Sequence, residues 1–393
     1  MRLITTKAAK ISCVLTAALI GGTFYAQAGG FERSSQDFDI LFEEGNLAES
    51  GVTYVMPQRK LKNIRQIAPD LQSVTVAKDN VNEGKSYWVP KVSARFQLND
   101  DLACAAQYRR PWGIVMDVGT DTLRAYSSIE QEISSHDFGL NCSYRLAVGE
   151  KGFVRLLGGL SYQELSGYQT KLLPNQSIAT LDVDGRGYGW RLGAAYEVPE
   201  IALRGSVVYQ SKVKYDLNGT IAGVIPTMAL DVGSDVSLPQ SVEFKFQTGI
   251  APDWVALASV KWTDWKSIQV VPFTLSDDVP AFGLLKGRVM SSLDLYFRDG
   301  WTVSGGVAHK FNDHWSGAAT LTWDRGTSTG WTSQTDVWLL GAGANYKVTD
   351  HFDIKLSGAL GLLRSGEFHD KVSTSDFGTD LVKAFSVAVK LKL

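Results

Sequence analysis

The sequence predicts an all-β fold, a 14-stranded antiparallel transmembrane β-barrel with a short N-terminal plug (hatch) segment in the lumen. Apolar and polar residues alternate with a period of two along most of the chain, for example over residues 241–247 and 385–393, and this period is typical of strands. Short turn-like junctions join the alternating segments at regular intervals. Glycine and aromatic residues are abundant although the mean hydropathy is near zero, as expected for half-buried strands.

Composition and charge exclude several other classes of protein. The chain has 393 residues, of which 44% are hydrophobic, so it can bury a large core and general disorder is not expected. The net charge of −2 provides no basic field that would hold nucleic acid, so no nucleic-acid partner is expected. A helical membrane protein would need several apolar runs of roughly 20 residues. The sequence contains one long apolar run, at its N-terminus.

Residues 1–28 have the pattern of a secretory signal peptide. Three basic residues flank or precede a short apolar run over residues 11–20, and Ala26-Gln27-Ala28 provides a cleavage pattern of small residues, so we expect cleavage near Ala28. The mature chain keeps two cysteines, Cys104 and Cys142. An exported protein could join them, but we favour the simpler interpretation, in which they are small unpaired strand residues.

Six short turns set the number of strands. They are spaced by roughly 40–60 residues, enough for two strands of about 10 residues and one long connection. The turns lie at residues 98–101, 148–151, 198–200, 251–253, 312–314 and 348–350. Longer polar segments lie between them, at about 60–85, 114–130, 165–185, 218–238, 268–290, 325–335 and 365–380. Six turns and seven longer connections imply 14 strands over residues 51–393, with both termini on the side of the short turns.

Tryptophan positions agree with a membrane-spanning barrel. Trp254 and Trp315 directly follow short turns, and the others near the opposite strand ends are Trp88, Trp112, Trp190, Trp265 and Trp323. Amphipathic aromatic rings prefer the level of the lipid headgroups, so we expect two belts. The alternative is a soluble sandwich or propeller, but a propeller should repeat a four-stranded motif and the sequence shows no such repeat.

Residues 29–50 differ from the rest of the chain. Bulky apolar residues, among them Phe31, Phe38 and Phe42, are mixed with acidic ones, and the segment lacks the alternation of a strand. A 14-stranded barrel encloses a lumen too wide for its own side chains to fill. We expect this segment to fold into the lumen as a plug. The alternative is a disordered periplasmic tail.

The sequence resembles the FadL/TodX family of outer-membrane transporters for long-chain fatty acids and other hydrophobic compounds. The most specific similarity covers residues 189–197 and 209–219. Shorter stretches continue it in order over essentially the whole mature chain, at residues 51–57, 88–90, 97–103, 238–239, 252–254 and 262–265. Two features differ from the family. The hatch is shorter and has Asn46-Leu47-Ala48 where the family usually has Asn-Pro-Ala, and the chain ends at Leu393 rather than at an aromatic residue.

The resemblance implies a 14-stranded barrel that is closed by an N-terminal hatch. It also implies a low-affinity groove among the outer loops, an inner high-affinity pocket and a sideways exit beside a kinked third strand. Pro111-Trp112-Gly113 lies on the predicted third strand at the position of that kink. Proline lacks an N–H and glycine weakens a strand, so both suit a place where strand pairing is broken. We expect the lateral opening at Pro111, Trp112 and Gly113. The alternative is that these residues end the strand at the outer interface.

Candidate substrate-binding residues come from three segments. A lipophilic acid needs an apolar tunnel and one or two cations for its carboxylate. We expect contacts from Phe31, Phe38 and Phe42 on the plug, from Phe153, Arg155 and Leu157 in the lumen, and from Phe273, Phe282 and Leu284 in an unusually apolar outer connection. Alternation also points further cations inward, as in any water-filled lumen: Arg191, Arg204, Lys212, Lys214, Lys245 and Lys261.

No catalytic residues, no metal and no cofactor are expected. The sequence has neither a G-x-S-x-G nor an H-E-x-x-H motif, and its five histidines have no ligand spacing. Asp182-Val183-Asp184-Gly185 faintly resembles a calcium loop, but a polar outer loop explains it equally well.

These observations predict an outer-membrane channel of a Gram-negative bacterium that passively takes up long-chain fatty acids or similar lipophiles. The expected partners are that lipophile, outer-membrane lipids and lipopolysaccharide, and the expected state is a monomer. A runner-up from a second class is a general diffusion porin for small hydrophilic solutes, which would need neither an apolar plug nor a hydrophobic outer loop. An outer-membrane lipid-modifying enzyme would need a Ser/His pair on adjacent strands, and we find no such pair in the sequence.

Overall fold

The computed structural model describes residues 30–34, 38–67 and 78–393. The predicted signal peptide over residues 1–28 lies outside these described residues. Strands dominate the described chain, and none of its helices is long and apolar enough to cross a membrane. The helical pieces are short 3-10 turns at Asp39–Phe42, Leu123–Tyr126, Pro199–Ile201, Trp265–Ser267 and Pro280–Phe282.

Fourteen antiparallel strands of the described chain form a closed barrel, which confirms the predicted fold class. They are β1 (Leu47–Pro57), β2 (Tyr87–Gln97), β3 (Leu102–Arg109 and Gly113–Asp117), β4 (Glu130–Val148), β5 (Gly152–Leu172), β6 (Ile178–Val198), β7 (Leu203–Gln210 and Val213–Ile225), β8 (Met228–Leu238 and Ser241–Ala251), β9 (Trp254–Thr263 and Val270–Leu275), β10 (Val289–Asp294 and Gly300–Lys310), β11 (Trp315–Arg325), β12 (Val337–Lys347), β13 (Phe352–Leu363) and β14 (Asp380–Lys392). The barrel closes because β1 pairs with β14, from Leu47↔Lys392 to Pro57↔Val382, and with β2 on its other side.

The six predicted short turns are confirmed, and all of them lie at one end of the barrel. Each joins two consecutive strands. Gly149, for example, turns the chain between β4 and β5 with a φ of 66°, a conformation that glycine adopts without steric cost. Both ends of the barrel chain lie at the same end, because the Leu393 amide donates to the Asn46 carbonyl oxygen at 2.9 Å. We call this the turn end of the barrel and the opposite one the loop end.

Two segments that we predicted as polar loops are extensions of hairpins. Over residues 165–185 the strands β5 and β6 stay paired up to Leu172↔Ile178, and over residues 218–238 the strands β7 and β8 pair up to Ile225↔Met228. Most of the solvent-facing side chains in these extensions are polar. That exposed polarity made the segments resemble loops, although the residues between are apolar and buried.

The two halves of the barrel bury opposite kinds of side chain. Near the turn end, Arg191 is buried in the lumen while its neighbour Leu192 is 62% exposed on the outside. In the loop-end part of β7 the pattern inverts, since Tyr215 is buried while Lys212 and Lys214 are exposed. The prediction that both lysines point inward is therefore wrong. The break in β7 shifts the strand phase by one residue, and a shift by one residue exchanges the two faces.

The predicted tryptophan belts are correct only in part. Trp254 and Trp190 are 39% and 48% exposed on the outer surface, as expected. Trp112 and Trp265 contradict the prediction, because they are at most 2% exposed and their rings meet edge to face with centroids 5.7 Å apart. Both lie at breaks, in β3 and β9 respectively, where the backbone leaves the ladder and the ring can turn inward.

Cys104 on β3 and Cys142 on β4 form a disulfide, with the two sulfur atoms 2.08 Å apart. The interpretation that they are unpaired is therefore wrong. The two residues are direct cross-strand partners in the β3–β4 ladder, so the strand register alone brings their side chains together. The bond ties the turn-end part of β3 to β4.

The first and last long connections form a separate four-stranded sheet above the loop end. Its strands are Lys60–Gln66, Val81–Asn82, Gly366–His369 and Ser373–Phe377. Leu61, Phe368 and Phe377 bury one another beneath it. The Arg59 guanidinium stacks on the Phe377 ring at 4.3 Å and donates to two backbone carbonyl oxygens, and burial lowers the pKa of Arg59. This small sheet thus joins the two ends of the barrel chain across the loop end.

Candidate functional site

The hydrogen-bonded ladder between β2 and β3 is broken in the loop-end half of the barrel. The last regular pair between the two strands is Lys91↔Arg109. The next backbone hydrogen bond to β3 on this side runs from the Lys85 amide to the Val115 carbonyl oxygen, at 3.2 Å. Residues 87–90 of β2, all within the described chain, have no backbone hydrogen bond to β3. We call this interruption of the wall the β2–β3 gap.

A bulge at Pro111 and Trp112 turns β3 away from β2. One extra residue of β3 lies between its pairs with β4 at Arg109 and at Gly113. The Ser135 hydroxyl of β4 replaces the missing ladder partner, since it accepts from the Trp112 amide and donates to the Trp112 carbonyl oxygen, both at 2.8 Å. β3 therefore stays attached to β4, and only its edge toward β2 is free.

The N-terminal segment pairs with this free edge of β3. The Arg33 amide donates to the Pro111 carbonyl oxygen, and the Gly113 amide donates to the Phe31 carbonyl oxygen, both at 2.7 Å. Backbone groups that β2 would otherwise satisfy thus find partners in the N-terminal segment. The segment lies next to the gap because the gap leaves backbone N–H and C=O groups of β3 available for it to bind.

Ion pairs hold the same segment against the wall at two levels. Near the gap, the Glu32 carboxylate pairs with Lys261, and both side chains are buried. Nearer the turn end, Asp39 pairs with Lys245 at 2.9 Å and with Arg204 at 3.4 Å. Burial acts to raise the pKa of Asp39, but the charges of Lys245 and Arg204 outweigh it and lower that pKa to about 2. Asp39 is therefore ionised at neutral pH, as both ion pairs require.

Apolar side chains of the N-terminal segment pack against buried residues of the barrel chain. The Phe31 ring meets Trp265 and Phe297 edge to face, with centroids 6.0 Å and 5.5 Å apart. Nearer the turn end, Phe38 belongs to a buried cluster that includes Leu157 of β5. Edge-to-face contacts between buried rings add to the stabilisation from area burial alone.

A small apolar cavity lies beside the bulge of β3. Its volume is about 60 Å³, and Phe31, Trp112, Phe273 and Leu295 are among the residues that line it. Apart from the Ser166 hydroxyl and the ring nitrogen of Trp112, every lining side chain is apolar. We call it the inner cavity. Its chemistry suits a hydrocarbon group and offers no site for a hydrophilic solute.

A larger cavity lies on the loop-end side of the inner one. This outer cavity has a volume of about 360 Å³, and Phe31, Leu293 and Leu295 line both cavities, so these three residues form the boundary between them. The other residues that line this outer cavity include both polar and apolar side chains. Arg124 pairs there with Asp370 at 2.6 Å, within a lining that also contains apolar residues.

Polar groups form a layer next to the inner cavity. The Trp112 ring nitrogen donates to the Gln163 side-chain oxygen at 3.1 Å. Beyond it, the Asp137 carboxylate pairs with Arg191 at 2.6 Å and with Arg109 at 2.7 Å. In the part of the chain that the structure describes, no group of three or more His, Cys, Asp or Glu side chains is placed to hold a metal ion. The layer has two cations around one carboxylate, so it is a structural ion cluster with a net positive charge.

The structure brings three of the predicted site residues together. Phe31, Trp112 and Phe273 line the inner cavity from the N-terminal segment, β3 and β9. Leu284 packs on the edge of the same apolar group, whereas Phe282 is 53% exposed at the loop end. Pro111 and Gly113 flank Trp112 in the bulge that borders the gap.

The remaining predicted residues lie nearer the turn end. Phe38 and Leu157 are buried in one cluster, with Phe42 packed against it. The Phe153 ring lies under the guanidinium of Arg145 at 4.8 Å. None of these four phenylalanine or leucine residues lines either of the two cavities described above.

Arg155 is already engaged by groups of the protein. Its Nε donates to the Glu197 carboxylate at 2.8 Å, and its Nη1 donates to the Leu41 carbonyl oxygen at 3.1 Å. Arg155 therefore links the barrel wall to the N-terminal segment.

Sequence reasoning missed Trp265, Phe297, Leu295 and Arg33. The first three lie at the breaks in β9 and β10, where the period of two is lost and alternation cannot orient a side chain. Arg33 is the one basic residue in the otherwise acidic segment of residues 29–50, and this lone cation was the one available signal.

The chain matches one protein family over most of its length. A profile of the family described as "Outer membrane protein transport protein (OMPP1/FadL/TodX)" matches residues 40–391. The long-chain fatty acid transport protein of Escherichia coli O6:H1 (strain CFT073) is 22% identical over 282 residues, which cover 62% of this chain and 61% of that protein. The long-chain fatty acid transport protein of Salmonella typhi is 21% identical over 297 residues, 66% of each chain. The alignments thus span less than two thirds of the length of these curated relatives.

Solved structures share the fold. The crystal structure of a Pseudomonas aeruginosa FadL homologue superposes with a TM-score of 0.76 at 14% identity, covering 90% of this chain and 91% of that one. The Pseudomonas putida toluene transporter TodX gives a TM-score of 0.61 at 14% identity, and the Ralstonia pickettii toluene transporter TbuX gives 0.61 at 16% identity; each covers 89% of this chain and 90% of the other. At these identities the similarity establishes the barrel architecture.

Proposed function

Because this chain belongs to the outer-membrane transport family OMPP1/FadL/TodX, we propose that it is an outer-membrane channel for the passive uptake of hydrophobic compounds. In this proposal the protein is exported, loses its signal peptide near Ala28 and spans the outer membrane of a Gram-negative bacterium as a monomer among lipids and lipopolysaccharide. It is a channel and not an enzyme. The observation that carries the proposal is the apolar inner cavity, whose lining includes Trp112 of the bulge that borders the β2–β3 gap.

The proposed route runs from the outer cavity to the gap. A lipophile enters the outer cavity, passes Phe31, Leu293 and Leu295 into the inner cavity, and leaves sideways past Trp112. A straight path toward the turn end would bring the lipophile against the ion cluster around Asp137. Displacing water from those charges with hydrocarbon is unfavourable, whereas the sideways path stays apolar.

The N-terminal segment serves as the plug in this proposal. Its backbone binds the edge of β3, and its side chains pair with Lys261, Lys245 and Arg204 of the wall. These contacts support a segment that occupies the lumen and limits the flow of small solutes. Because the segment pairs with β3 beside the gap, we propose that movement of the plug affects the gap.

The proposed substrates are long-chain fatty acids or other lipophiles such as aromatic hydrocarbons, and Phe31, Trp112 and Phe273 are the residues we propose to contact them. The inner cavity of about 60 Å³ is smaller than the roughly 300–1,000 Å³ of a pocket that encloses a whole ligand. A long chain therefore binds only when side chains of the plug, Phe31 first among them, move aside. Competition between oleate and toluene for binding distinguishes the two substrate classes.

The group around Phe38, Phe42, Phe153 and Leu157 is proposed to contact substrate only after such a movement of the plug. Phe282 and Leu284 belong to the loop end, where we propose that they guide lipophiles toward the outer cavity. Arg155 is bound to the plug at the Leu41 carbonyl oxygen, so it reaches substrate only if that bond breaks.

The experiment that tests the proposal fills the β2–β3 gap. In Gly113→Leu the new side chain begins at a point 2.6 Å from the Arg33 guanidinium, within the gap. We expect uptake of radiolabelled oleate by whole cells to fall to the level of cells without the channel. Normal uptake by a variant that forms a stable barrel would refute the sideways exit.

A matched glycine provides the control. Gly305 lies on β10 facing outward, and a Cβ added there meets nothing within 4 Å. Gly305→Leu adds the same side chain to the same barrel and should leave uptake unchanged. Equal loss of uptake in both variants would mean that the added side chain impairs assembly of the barrel, and that the gap is not the cause.

A further inference from the structure

The side chain of Arg33 lies in the β2–β3 gap. Its guanidinium packs on the ring of Tyr87 of β2, with Cζ 3.9 Å from the ring centroid. On its other side it lies against Gly113 of β3, where an added Cβ would come within 2.6 Å of the Arg33 Cζ. Arg33 therefore bridges the two strands at the place where their backbone hydrogen bonds are missing.

Arg33 is a buried cation without an ion-pair partner in the described chain. The residue is 4% exposed, and its Nε and Nη2 atoms have no hydrogen-bond acceptor. Burial lowers the pKa of Arg33 to about 10, so it stays protonated at neutral pH. Arg110 adds a second positive charge nearby, and the acidic group that acts on Arg33, Glu132, is exposed on the outer face of β4. Buried cations normally have partners, so this one calls for an anion.

The free atoms of Arg33 have the geometry that a carboxylate needs. Nε–H and one Nη2–H point the same way from one edge of the guanidinium plane, and two parallel N–H bonds match the two oxygens of a carboxylate. Lysine cannot present such an edge. The vacant edge of the guanidinium is therefore expected to bind a planar anion with two oxygens, such as a carboxylate, better than a spherical anion of the same charge.

A hydrocarbon site adjoins this anion site. Phe31 and Trp112 line the inner cavity, and they lie close to Arg33 and Gly113 along the two paired segments. A molecule with its carboxylate on Arg33 and its tail in the inner cavity would satisfy both sites together.

We propose that Arg33 is the carboxylate-binding residue for the transported lipophile and that it lies in the gap itself. This inference rests on the proposed channel function and deepens it, because it assigns fatty-acid anions rather than uncharged hydrocarbons as the compounds that the gap recognises. When the carboxylate binds the vacant edge of the guanidinium, the Arg33 side chain turns with the ligand away from Tyr87. The side chain then no longer bridges β2 and β3, and the gap widens.

The test compares two ligands that share one hydrocarbon tail and differ in the head group, which is a carboxylate in one and a neutral hydroxyl in the other. Binding of radiolabelled oleate and of oleyl alcohol to the purified protein in detergent is measured for the wild type, Arg33→Gln and Arg33→Lys. We expect Arg33→Gln to weaken oleate binding about tenfold or more and to change oleyl alcohol binding by less than about twofold. Arg33→Lys keeps the charge but lacks the two parallel N–H donors of the guanidinium. Its affinity for oleate should therefore lie between those of the wild type and Arg33→Gln. Arg186→Gln, on the exposed outer face of β6, is the control and should behave as the wild type.

Each other outcome overturns the proposal in a distinguishable way. Equal weakening for both ligands would mean that Arg33 only shapes the gap. Unchanged oleate binding in Arg33→Gln would show that Arg33 does not bind the carboxylate, and the proposed channel function would still stand. A wild type that binds neither ligand would refute the channel function as well. The same variants are also measured with added lipopolysaccharide, because its phosphates are a second source of anions for Arg33. If Arg33 binds a lipid phosphate, Arg33→Gln would reduce retention of lipopolysaccharide and leave oleate binding unchanged, and the proposal would be overturned.

Discussion

At the scale of single residues, the break in the wall depends on how Trp112 is held. Proline at the preceding position supplies no N–H, and the bulge moves the Trp112 amide and carbonyl out of the ladder. The Ser135 hydroxyl binds both groups. One side chain thus lets β3 bend away from β2 while it remains joined to β4.

Replacement of this hydroxyl should destabilise the barrel. Ser135→Ala leaves a buried amide and a buried carbonyl without their partner, which we expect to cost about 1–3 kcal/mol of unfolding free energy. The measurement is the urea midpoint of unfolding for the protein in detergent. Ser50→Ala removes the hydroxyl of an exposed residue of β1 and should shift the midpoint little. A Ser135→Ala midpoint equal to that of the wild type would show that the hydroxyl does not hold the bulge.

Residue types alone indicated part of the candidate site. Pro111-Trp112-Gly113 marked the bulge because proline and glycine each weaken a ladder for a known reason. Alternation correctly placed Arg155 and Leu157 inward. It could not show that Arg155 already binds Glu197 and the Leu41 carbonyl oxygen of the N-terminal segment, because those partners are distant in sequence and meet only in the closed barrel.

At the scale of strands and segments, the sequence predicts what is local and misses what depends on register. The short turns are local signals, and all six are where the sequence places them. The outward direction of Lys212 and Lys214 depends on a one-residue phase shift at the break in β7, which no local pattern reveals. The same limit applies to Cys104 and Cys142, which become neighbours only through the β3–β4 register.

The disulfide between β3 and β4 gives a direct prediction about thiols. Mature protein that is denatured without reductant should bind no maleimide, and after reduction it should bind two per chain, one at Cys104 and one at Cys142. Mass spectrometry of the labelled protein provides the count. Labelling of both residues before reduction would show that the strands pair without the bond.

The N-terminal segment is the element that should control leakage. Deletion of residues 31–44 removes the ion pairs of Glu32 and Asp39 with the wall, together with the Phe31 contacts. We expect the conductance of single channels in planar bilayers to rise several-fold, because a barrel of this size encloses an aqueous lumen when nothing fills it. Deletion of the exposed residues 285–287 at the loop end is the control and should leave conductance unchanged. An unaltered conductance after the first deletion would count against a plug.

At the scale of the whole molecule, the barrel has two different halves. The turn-end half has apolar side chains outside and buried charges inside, as for Leu192 and Arg191, whereas the loop-end half has the opposite arrangement around β7 and β8. The inner cavity lies in the apolar interior of the second half, and Trp112, which lines it, belongs to the bulge that borders the gap. Near-zero mean hydropathy is the average of these two arrangements, which explains why composition alone excluded only a helical membrane protein.

A porin and a lipophile channel both have short turns at one end of the barrel and longer loops at the other, so their difference lies in what the lumen transmits. We propose that hydrophobic compounds cross the wall while the lumen stays closed to small hydrophilic solutes. Vesicles that contain the purified protein allow both properties to be measured in one preparation, as transfer of oleate and as swelling in a small sugar. We expect oleate transfer well above that of protein-free vesicles, with swelling no faster than theirs. Rapid swelling at the rate of a general porin, without added oleate transfer, would contradict this proposal.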